Sequence, residues 1–251
     1  MDITVFIPAR LESSRLKKKA LKLISGIPAI VHTYIRSTFA KNISDVYVCT
    51  DSNLIARAVK KVNGKVIMTK KHINGTERVS EAAAKTNSKN LIMINGDEVL
   101  INPNHIELMS ECLAKNHDKI KFFQGHTVYN ELNDKASFKS VLNKKNQIIF
   151  SSREDIPSSC ISGIESLKKT VFITGFATNA ITEFVNWGEC DLERIEPNEF
   201  HRILFHDEKI QSIEMQNAQI SLDTQKDLEL IKTLFLKDKL YERYKHYKEM
   251  F

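Results

Sequence analysis

The sequence predicts an α/β fold with a mostly parallel central sheet and a smaller inserted lobe. Two observations carry this prediction. Short apolar runs rich in β-formers alternate with helix-length amphipathic segments through the first half of the chain, and the pattern changes to shorter strands after about residue 119. Alternation of this kind is typical of strand–helix–strand units, in which helices cover both faces of a parallel sheet. The chain has 251 residues, enough for one large domain.

The elements of the first half follow from the spacing of the apolar residues. In the first helix, Ile30, Tyr34 and Ile35 recur at helical intervals and so share one face. The predicted strands cover 3–8, 45–50, 65–68 and 91–94, and the predicted helices cover 28–39, 53–62, 76–85 and 103–115. Because ligands bind at the carboxyl ends of the strands in such sheets, the polar residues that follow these strands are candidates for a site.

The second half contains shorter elements joined by polar turns. Strands are predicted at 122–129, 140–142, 147–151 and 209–214, helices at 192–204 and 224–245, and a mobile loop at 158–166. We interpret residues 1–119 and 211–251 as the core of a single domain and 120–210 as a lobe inserted into it.

Composition narrows the class of protein. No apolar run reaches 18 residues, and the N-terminus has no basic segment before its short apolar stretch, so we expect neither a membrane span nor a signal peptide. The four cysteines form no CxxC pair, which favours reduced thiols in a cytoplasmic protein. The net charge of +6 makes nucleic-acid binding a weaker alternative, since the basic residues are spread along the whole chain.

A basic loop follows the first strand. Arg10, Arg15 and Lys19 lie within ten residues of one another. Arginine forks match phosphate oxygens, lysine adds a point charge, and the backbone amides of a polar turn are further donors. The pattern is compatible with a polyphosphate site and equally with a solvated basic loop. It contains neither a GxGxxG nor a GxxxxGK[ST] motif.

Two acidic positions are candidate metal ligands. Asp97 follows the apolar strand at 91–94, where a carboxylate beside a phosphate loop suits Mg²⁺. Asp223 precedes the last helix and becomes a candidate only if the fold brings it to Asp97. From local sequence alone, a simple turn explains Asp97 and a helix cap explains Asp223.

A fourth cluster starts the helix predicted at 76–85. Gly75 permits close backbone approach, Thr76 or Asn74 can cap the helix, and Arg78 can reach a phosphate or a base edge. A capped helix start without a ligand explains the same residues.

These clusters, in this order, resemble motifs of the CMP-Kdo synthetase family, the 3-deoxy-manno-octulosonate cytidylyltransferases. Residues 8–21 resemble the family loop P-A-R-x-x-S-[ST]-R-L-P-G-K-P-L. Further segments resemble V-A-T-D, S-G-T-E-R, Q-G-D-E-P, F-S-R-x-x-I-P, V-N-W, L-E-x-I-E and V-D-T-x-x-D-L, and they lie at 48–51, 74–78, 95–99, 151–157, 185–187, 192–196 and 222–228. The resemblance extends over nearly the whole chain.

The resemblance implies a Rossmann-like nucleotidyltransferase that joins CMP from CTP to a 2-keto-3-deoxy sugar acid and releases pyrophosphate. It implies Mg²⁺ on Asp97 and Asp223, with Lys19 as a third catalytic residue. It also implies a cytoplasmic homodimer joined through the lobe, lipopolysaccharide biosynthesis as the pathway, and neither a nucleic-acid nor a membrane partner. The implied nucleotide-binding residues are Pro8, Ala9, Arg10, Ser13, Arg15, Lys19, Gly75, Thr76, Arg78 and Asn95, and the implied acceptor-binding residues are Arg153, Glu193, Glu196 and Glu199.

Several positions depart from the family pattern. Lys17 and Lys18 replace Pro-Gly, Asn95 replaces Gln, Val99 replaces Pro, and the strand-like segment 170–176 lacks the family's histidine. The phosphate and metal positions are kept while the acceptor side has changed more. A modified octulosonate such as the 8-amino sugar, or another acidic acceptor, is therefore compatible with the sequence. A non-catalytic nucleotide-binding relative is an alternative, against which the retention of both aspartates argues.

Overall fold

The computed structural model describes residues 1–13, 15–158, 163 and 166–251. The loop predicted at 158–166 therefore lies largely outside the described residues. The first half contains β1 (Thr4–Ala9), β2 (Leu23–Ile24), β3 (Ile27–Pro28), α1 (Ala29–Thr38), β4 (Asp45–Thr50), α2 (Asn53–Lys61), β5 (Val66–Met68), α3 (Gly75–Thr86), β6 (Leu91–Ile94) and α4 (Pro103–Asn116). All eight elements predicted for this half are present. The short β2–β3 hairpin was not predicted.

The second half mixes strands and short helices. It contains β7 (Phe122–Tyr129), β8 (Lys139–Leu142), β9 (Ile148–Ser152), β10 (Leu167–Phe176), α5 (Ala180–Trp187), α6 (Asp191–Ile195), α7 (Phe200–Phe205), β11 (Ile210–Glu214) and α8 (Gln225–Phe235). Two 3-10 turns, Tyr241–Arg243 and Lys245–Met250, follow α8.

One sheet runs through both halves of the chain. Within the described residues it has nine strands, and its main order is β11-β7-β10-β6-β1-β4-β5. Strand β1 pairs in parallel with β4 and β6, and β4 pairs in parallel with β5. Strand β10 is antiparallel to both β6 and β7, while β11 is parallel to β7. The predicted fold class, a mostly parallel sheet with antiparallel additions, is confirmed. The segment predicted as a lobe contributes β7 and β10 to this sheet.

Helices cover both faces of the sheet because the strand side chains alternate. Val5 and Ile7 of β1 pack into one cluster with Ile30 of α1, whereas Phe6 packs into another with Val79 of α3. Successive side chains of a strand point to opposite faces, so a strand buried on both sides is apolar throughout. Because β1 and β6 pair in parallel, the loop after β1 and the turn after β6 lie side by side at one edge of the sheet.

One predicted helix is interrupted, and another ends earlier than expected. The helix predicted at 192–204 is two helices, α6 and α7, because Pro197 disfavours a helical backbone at Glu196, which is extended (φ −126°, ψ 101°). The helix predicted at 224–245 ends at Phe235. Beyond it, Tyr244 folds back against α1, where its hydroxyl lies 3.0 Å from the Nδ1 atom of the buried His32.

Candidate active site

A cavity of about 340 Å³ opens at the carboxyl ends of β1 and β6. Most of the residues predicted to bind a nucleotide line it, together with one predicted metal ligand and one predicted acceptor residue. They are Pro8, Ala9, Arg10, Ser13, Arg15, Lys19, Gly75, Arg78, Asn95, Asp97 and Glu199. Thr76 is buried and lies outside this lining, with its hydroxyl 3.8 Å from the sulfur of Met93.

Lys19 brings the two aspartates together. Its Nζ atom donates hydrogen bonds to Asp97 Oδ2 over 2.5 Å and to Asp223 Oδ1 over 2.9 Å. Arg15 Nη2 also donates to Asp223 Oδ1 over 2.9 Å. All three of the side chains of Lys19, Asp97 and Asp223 are largely shielded from solvent. Burial alone would lower the pKa of Lys19, but the two carboxylates outweigh it and raise that pKa.

The donor set of this cluster fits a magnesium ion. Asp97 Oδ1 is buried and has no hydrogen-bond partner. A buried carboxylate oxygen without a partner is costly unless a further ligand reaches it, and hard oxygen donors are what Mg²⁺ prefers. The described residues contain no group of three or more His, Cys, Asp or Glu side chains arranged to hold a metal. Two carboxylates would therefore need phosphate oxygens and water to complete an octahedral shell.

Close packing places the turn after β6 against β1. A Cβ atom on Gly96 would lie 3.0 Å from Ile30 Cδ1 and 3.1 Å from the carbonyl oxygen of Pro8. Contacts this short mean that a side chain at this position would force its neighbours to shift by a few tenths of an ångström, so the packing favours glycine beside Asp97. The backbone N–H of Asn95 donates to the carbonyl oxygen of Phe172 over 3.3 Å, at an irregularity in the pairing of β10 with β7.

The basic loop after β1 ends in an unusual backbone conformation. Lys18 adopts a left-handed conformation (φ 52°, ψ 39°), and its carbonyl oxygen accepts a hydrogen bond from the N–H of Leu21 over 2.9 Å. This turn starts the short 3-10 helix Lys19–Leu21, which orients Lys19 toward the aspartates. Lys18 occupies the position at which the family loop has glycine, and glycine adopts this conformation at little cost.

The start of α3 forms the opposite wall. Asn74 caps the helix, because its Oδ1 accepts a hydrogen bond from the N–H of Glu77 over 2.8 Å. Arg78 is buried and donates to Thr69 Oγ1 over 2.7 Å, and its Nη1 lies 3.2 Å from Asp51 Oδ1. The start of α3 is therefore both a capped helix start, as one interpretation of the sequence had it, and a wall of the cavity.

Glu199 is the predicted acceptor residue that reaches the cavity. The residue is half-buried, and its Oε2 atom is buried without a hydrogen-bond partner. Burial raises the pKa of Glu199 to about 7. A buried oxygen of this kind at the cavity wall can accept a hydrogen bond from a hydroxyl or amino group of a bound molecule.

The other predicted acceptor residues form contacts within the protein. Glu193 accepts two hydrogen bonds of 2.8 Å from the buried Arg202. Glu196 accepts from the backbone N–H of Arg153 over 2.5 Å. The Arg153 guanidinium lies 4.2 Å from the centre of the Phe138 ring and donates to the carbonyl oxygens of residues 135 and 136. None of the three lines the cavity beside Lys19.

Sequence reasoning did not single out two residues near the site. His72 lines the cavity, and its Nε2 atom lies 2.6 Å from Glu81 Oε2 on α3. Glu98 is buried next to Asp97 and accepts a hydrogen bond from Ser221 Oγ over 2.6 Å. The only sequence signal for Glu98 is that it directly follows Asp97. That position does not reveal that the side chain is buried and bonded to Ser221.

The fold and the cationic cleft define the class, a nucleotidyltransferase, and the family model described as "Cytidylyltransferase" matches residues 4–245. A 3-deoxy-manno-octulosonate cytidylyltransferase from Coxiella burnetii is 32% identical, covering 94% of this chain and 100% of that protein. One from Fusobacterium nucleatum is 34% identical, covering 92% and 96%. This chain belongs to the family of 3-deoxy-manno-octulosonate cytidylyltransferases, the CMP-Kdo synthetases.

Solved structures support the same assignment. A CMP:2-keto-3-deoxy-manno-octonic acid synthetase complexed with CTP superposes with a TM-score of 0.89 at 27% identity, covering 94% of this chain and 99% of that one. A cytidylyltransferase from Leptospira borgpetersenii has a TM-score of 0.67 at 17% identity over 95% and 88% of the two chains, which shows the fold alone. No helix in the part of the chain that the structure describes is long and apolar enough to cross a membrane.

Proposed function

We propose that this protein transfers CMP from CTP to the anomeric hydroxyl of a 3-deoxy-2-keto sugar acid and releases pyrophosphate. The observation that carries the proposal is the pair of carboxylates, Asp97 and Asp223, that bind the ammonium group of Lys19. Lys19 and Asp97 line the cleft together with Arg10 and Arg15. The names of the relatives support the sugar acid, and the related synthetase complexed with CTP supports the nucleotide.

The proposed reaction is an in-line displacement at the α-phosphorus. The anomeric oxygen forms a bond to phosphorus, the bond to the pyrophosphate oxygen breaks, and the proton of the hydroxyl leaves to solvent. Catalysis of this kind depends mainly on positioning and on neutralising phosphate charge. Arg10, Arg15 and Lys19 provide that neutralisation in the proposal, because their cationic groups line the cleft.

Asp97 and Asp223 are the proposed ligands of Mg²⁺. When bound, the ion would lower the pKa of a coordinated hydroxyl and shield the negative charge of the leaving group. Lys19 lies between the two carboxylates and balances their charge together with Arg15, which pairs with Asp223. Its flexible side chain can turn toward a phosphate oxygen when the nucleotide enters.

Glu199 is the acceptor-side residue of the proposal. Its unpartnered Oε2 atom is positioned to accept a hydrogen bond from a sugar hydroxyl, or from the amino group of an 8-amino sugar. Arg153, Glu193 and Glu196 support the neighbouring hairpin and helices from outside the cleft. The acceptor class therefore includes Kdo and its amino-substituted relatives.

We further propose a homodimer. Large apolar side chains are exposed on the β8–β9 hairpin and on the neighbouring helices α6 and α7. They are Ile149 (56% exposed), Phe150, Ile195 (80%) and Phe205 (59%). Exposed apolar groups of this size favour burial against another surface. Light scattering during size-exclusion chromatography should give twice the chain mass of 28.8 kDa, and a monomer at micromolar concentration would contradict this part of the proposal.

A pyrophosphate-release screen tests the activity. CTP, UTP, ATP and GTP are each offered with Kdo, 8-amino-Kdo and other 2-keto-3-deoxy sugar acids, with and without Mg²⁺. We expect release only with CTP, Mg²⁺ and an acid sugar. Calorimetric binding of CTP without release from any sugar would instead identify a non-catalytic relative.

A further inference from the structure

The two segments that carry Asp97 and Asp223 are joined by a pair of hydrogen bonds. The backbone N–H of Leu222 donates to the carbonyl oxygen of Asp97 over 3.0 Å. Ser221 Oγ donates to Glu98 Oε1 over 2.6 Å. Each aspartate is thus next in sequence to a residue that binds the opposite segment, and we call these two contacts the Glu98–Ser221 clasp.

The clasp holds together two segments whose aspartates repel each other. Asp97 and Asp223 share one ammonium group, so their negative charges lie close together and repel each other whenever Lys19 turns away. The segment from 215 to 224 has no regular secondary structure between β11 and α8. Its position therefore depends on tertiary contacts.

The residues of the clasp are buried, which makes its hydrogen bonds costly to break. Glu98 is 5% exposed and Leu222 is fully buried, packed in one cluster with Leu16 and Val99. A hydrogen bond to a buried carboxyl group is expensive to leave unmade. On the other side of Asp223, Thr224 and Asp227 form a reciprocal helix cap, and the N–H of Asp223 donates to Asp227 Oδ2 over 3.1 Å. Asp223 is therefore held from both directions along the chain.

We propose that Glu98 is a positioning residue that acts through Ser221 to hold Asp223 opposite Asp97, in the geometry that a divalent cation requires. This inference rests on the proposed function, because it concerns the proposed cation site. Residues that orient metal ligands typically change metal affinity by about 10- to 100-fold when they are removed.

The test measures cation binding directly, independently of turnover. Mn²⁺ replaces Mg²⁺ as a paramagnetic probe, and electron paramagnetic resonance follows its binding to the protein in the presence of CTP. Ser221→Ala should weaken Mn²⁺ binding about 10-fold or more. Glu98→Gln keeps an oxygen that can accept from Ser221, and it should bind Mn²⁺ within about threefold of the unmodified protein. Asp97→Asn removes a proposed ligand and should abolish specific binding.

Ser140→Ala is the matched control. Ser140 is a buried serine in the β8–β9 hairpin whose hydroxyl lies 2.7 Å from that of Ser151, so its removal also breaks a buried hydrogen bond. The control should bind Mn²⁺ as the unmodified protein does. Circular dichroism and thermal unfolding establish that each variant is folded.

The outcomes distinguish a failure of the positioning role of Glu98 from a failure of the proposed function. Unchanged Mn²⁺ binding in Ser221→Ala, with binding lost in Asp97→Asn, would overturn the positioning role and leave the proposed function intact. An equal loss in Ser140→Ala and Ser221→Ala would also overturn it, since the effect would be general. If the unmodified protein binds no Mn²⁺ with CTP and releases no pyrophosphate, the proposed function fails and the positioning role with it.

Discussion

Lys19 and Asp97, which lie on segments that follow two adjacent parallel strands, are joined by a hydrogen bond of 2.5 Å. Asp223 joins the same lysine from near the C-terminal end of the chain. The site is therefore built from three segments far apart in sequence, each fixed by the sheet or by a helix start. We make five predictions, which concern this site, the loop beside it and two buried groups elsewhere in the fold.

Asp97→Asn should lower the rate of pyrophosphate release about 100- to 1,000-fold, because it keeps the side-chain shape but removes a charge from the proposed cation site. Release is measured from CTP and the best acceptor while Mg²⁺ is varied. Circular dichroism and the melting temperature should stay close to those of the unmodified protein. A folded variant with full activity would refute the role of Asp97.

Lys18→Gly should stabilise the protein by about 0.5–1 kcal/mol. Lys18 has a left-handed backbone, which costs a residue with a Cβ about 1–2 kcal/mol, and the extra freedom of glycine in the unfolded chain offsets part of this gain. Urea denaturation measures the difference. Lys17→Gly is the control, since Lys17 has no positive φ, and it should be neutral or destabilising. Equal effects at both positions would contradict the argument.

His32 should make the free energy of unfolding depend on pH. Burial lowers the pKa of His32 to about 4, from 6.5 in the unfolded chain. Between these values the unfolded chain binds more protons, so the His32 contribution is full above pH 6.5 and is lost as the pH falls toward 4. The total is about 3 kcal/mol.

The comparison with His32→Gln isolates this effect. Burial raises the pKa values of Glu98 and Glu199, and they titrate with the opposite sign as the pH rises. Both variants share that contribution, so it cancels in the difference between their unfolding free energies. Urea denaturation at several values between pH 4 and 7.5 gives the difference, and a difference that does not vary with pH would show that His32 is not buried in its neutral form.

Arg202→Met should destabilise the protein by about 3–5 kcal/mol, because it leaves the carboxylate of Glu193 buried without a partner. Arg194→Ala is a control from the same region. Arg194 pairs with Asp191 at the surface, where both side chains are more than half exposed, and its loss should cost at most about 1 kcal/mol. Chemical denaturation compares the two, and similar losses would argue against a buried ion pair.

Glu199→Gln should raise the KM for the acceptor sugar about 10-fold while the KM for CTP changes little. Above pH 7, where Glu199 is ionised, its carboxylate is a stronger hydrogen-bond acceptor than the amide, and hydrogen bonds to charged groups contribute about 1.5–3 kcal/mol. Steady-state kinetics with one substrate varied at a time measures both constants. A larger effect on CTP than on the acceptor would place Glu199 on the nucleotide side.

The first half of the fold could be predicted from sequence because its signals are local. The apolar periodicity of α1 and the continuous apolar runs of β1 and β6 depend only on neighbouring residues. The end of α8 could not be predicted, since no Gly or Pro follows Phe235. Beyond that point the chain folds back so that Tyr244 contacts His32, a tertiary interaction that the local sequence does not signal.

The candidate site could also be predicted in part from the sequence. The motif resemblance named Lys19, Asp97 and Asp223, and the structure brings these three together. The resemblance also named Glu193, which pairs with the buried Arg202 and does not line the cavity. The sequence does not distinguish a glutamate that pairs with a buried arginine from one that faces a ligand. Which partner it has depends on the packing of α6 against α7, and sequence alone does not reveal that packing.

The position of Asp223 beyond β11 also has a consequence for biosynthesis. Translation proceeds from the N-terminus, so the basic loop after β1 and Asp97 leave the ribosome well before the segment that carries Asp223. A nascent chain that ends before residue 223 has the basic loop and Asp97, but its proposed cation site lacks the second carboxylate. Under the proposed function, the site becomes complete only when all strands of the sheet have been synthesised and can pair. The protein would therefore bind its nucleotide only at the final stage of folding.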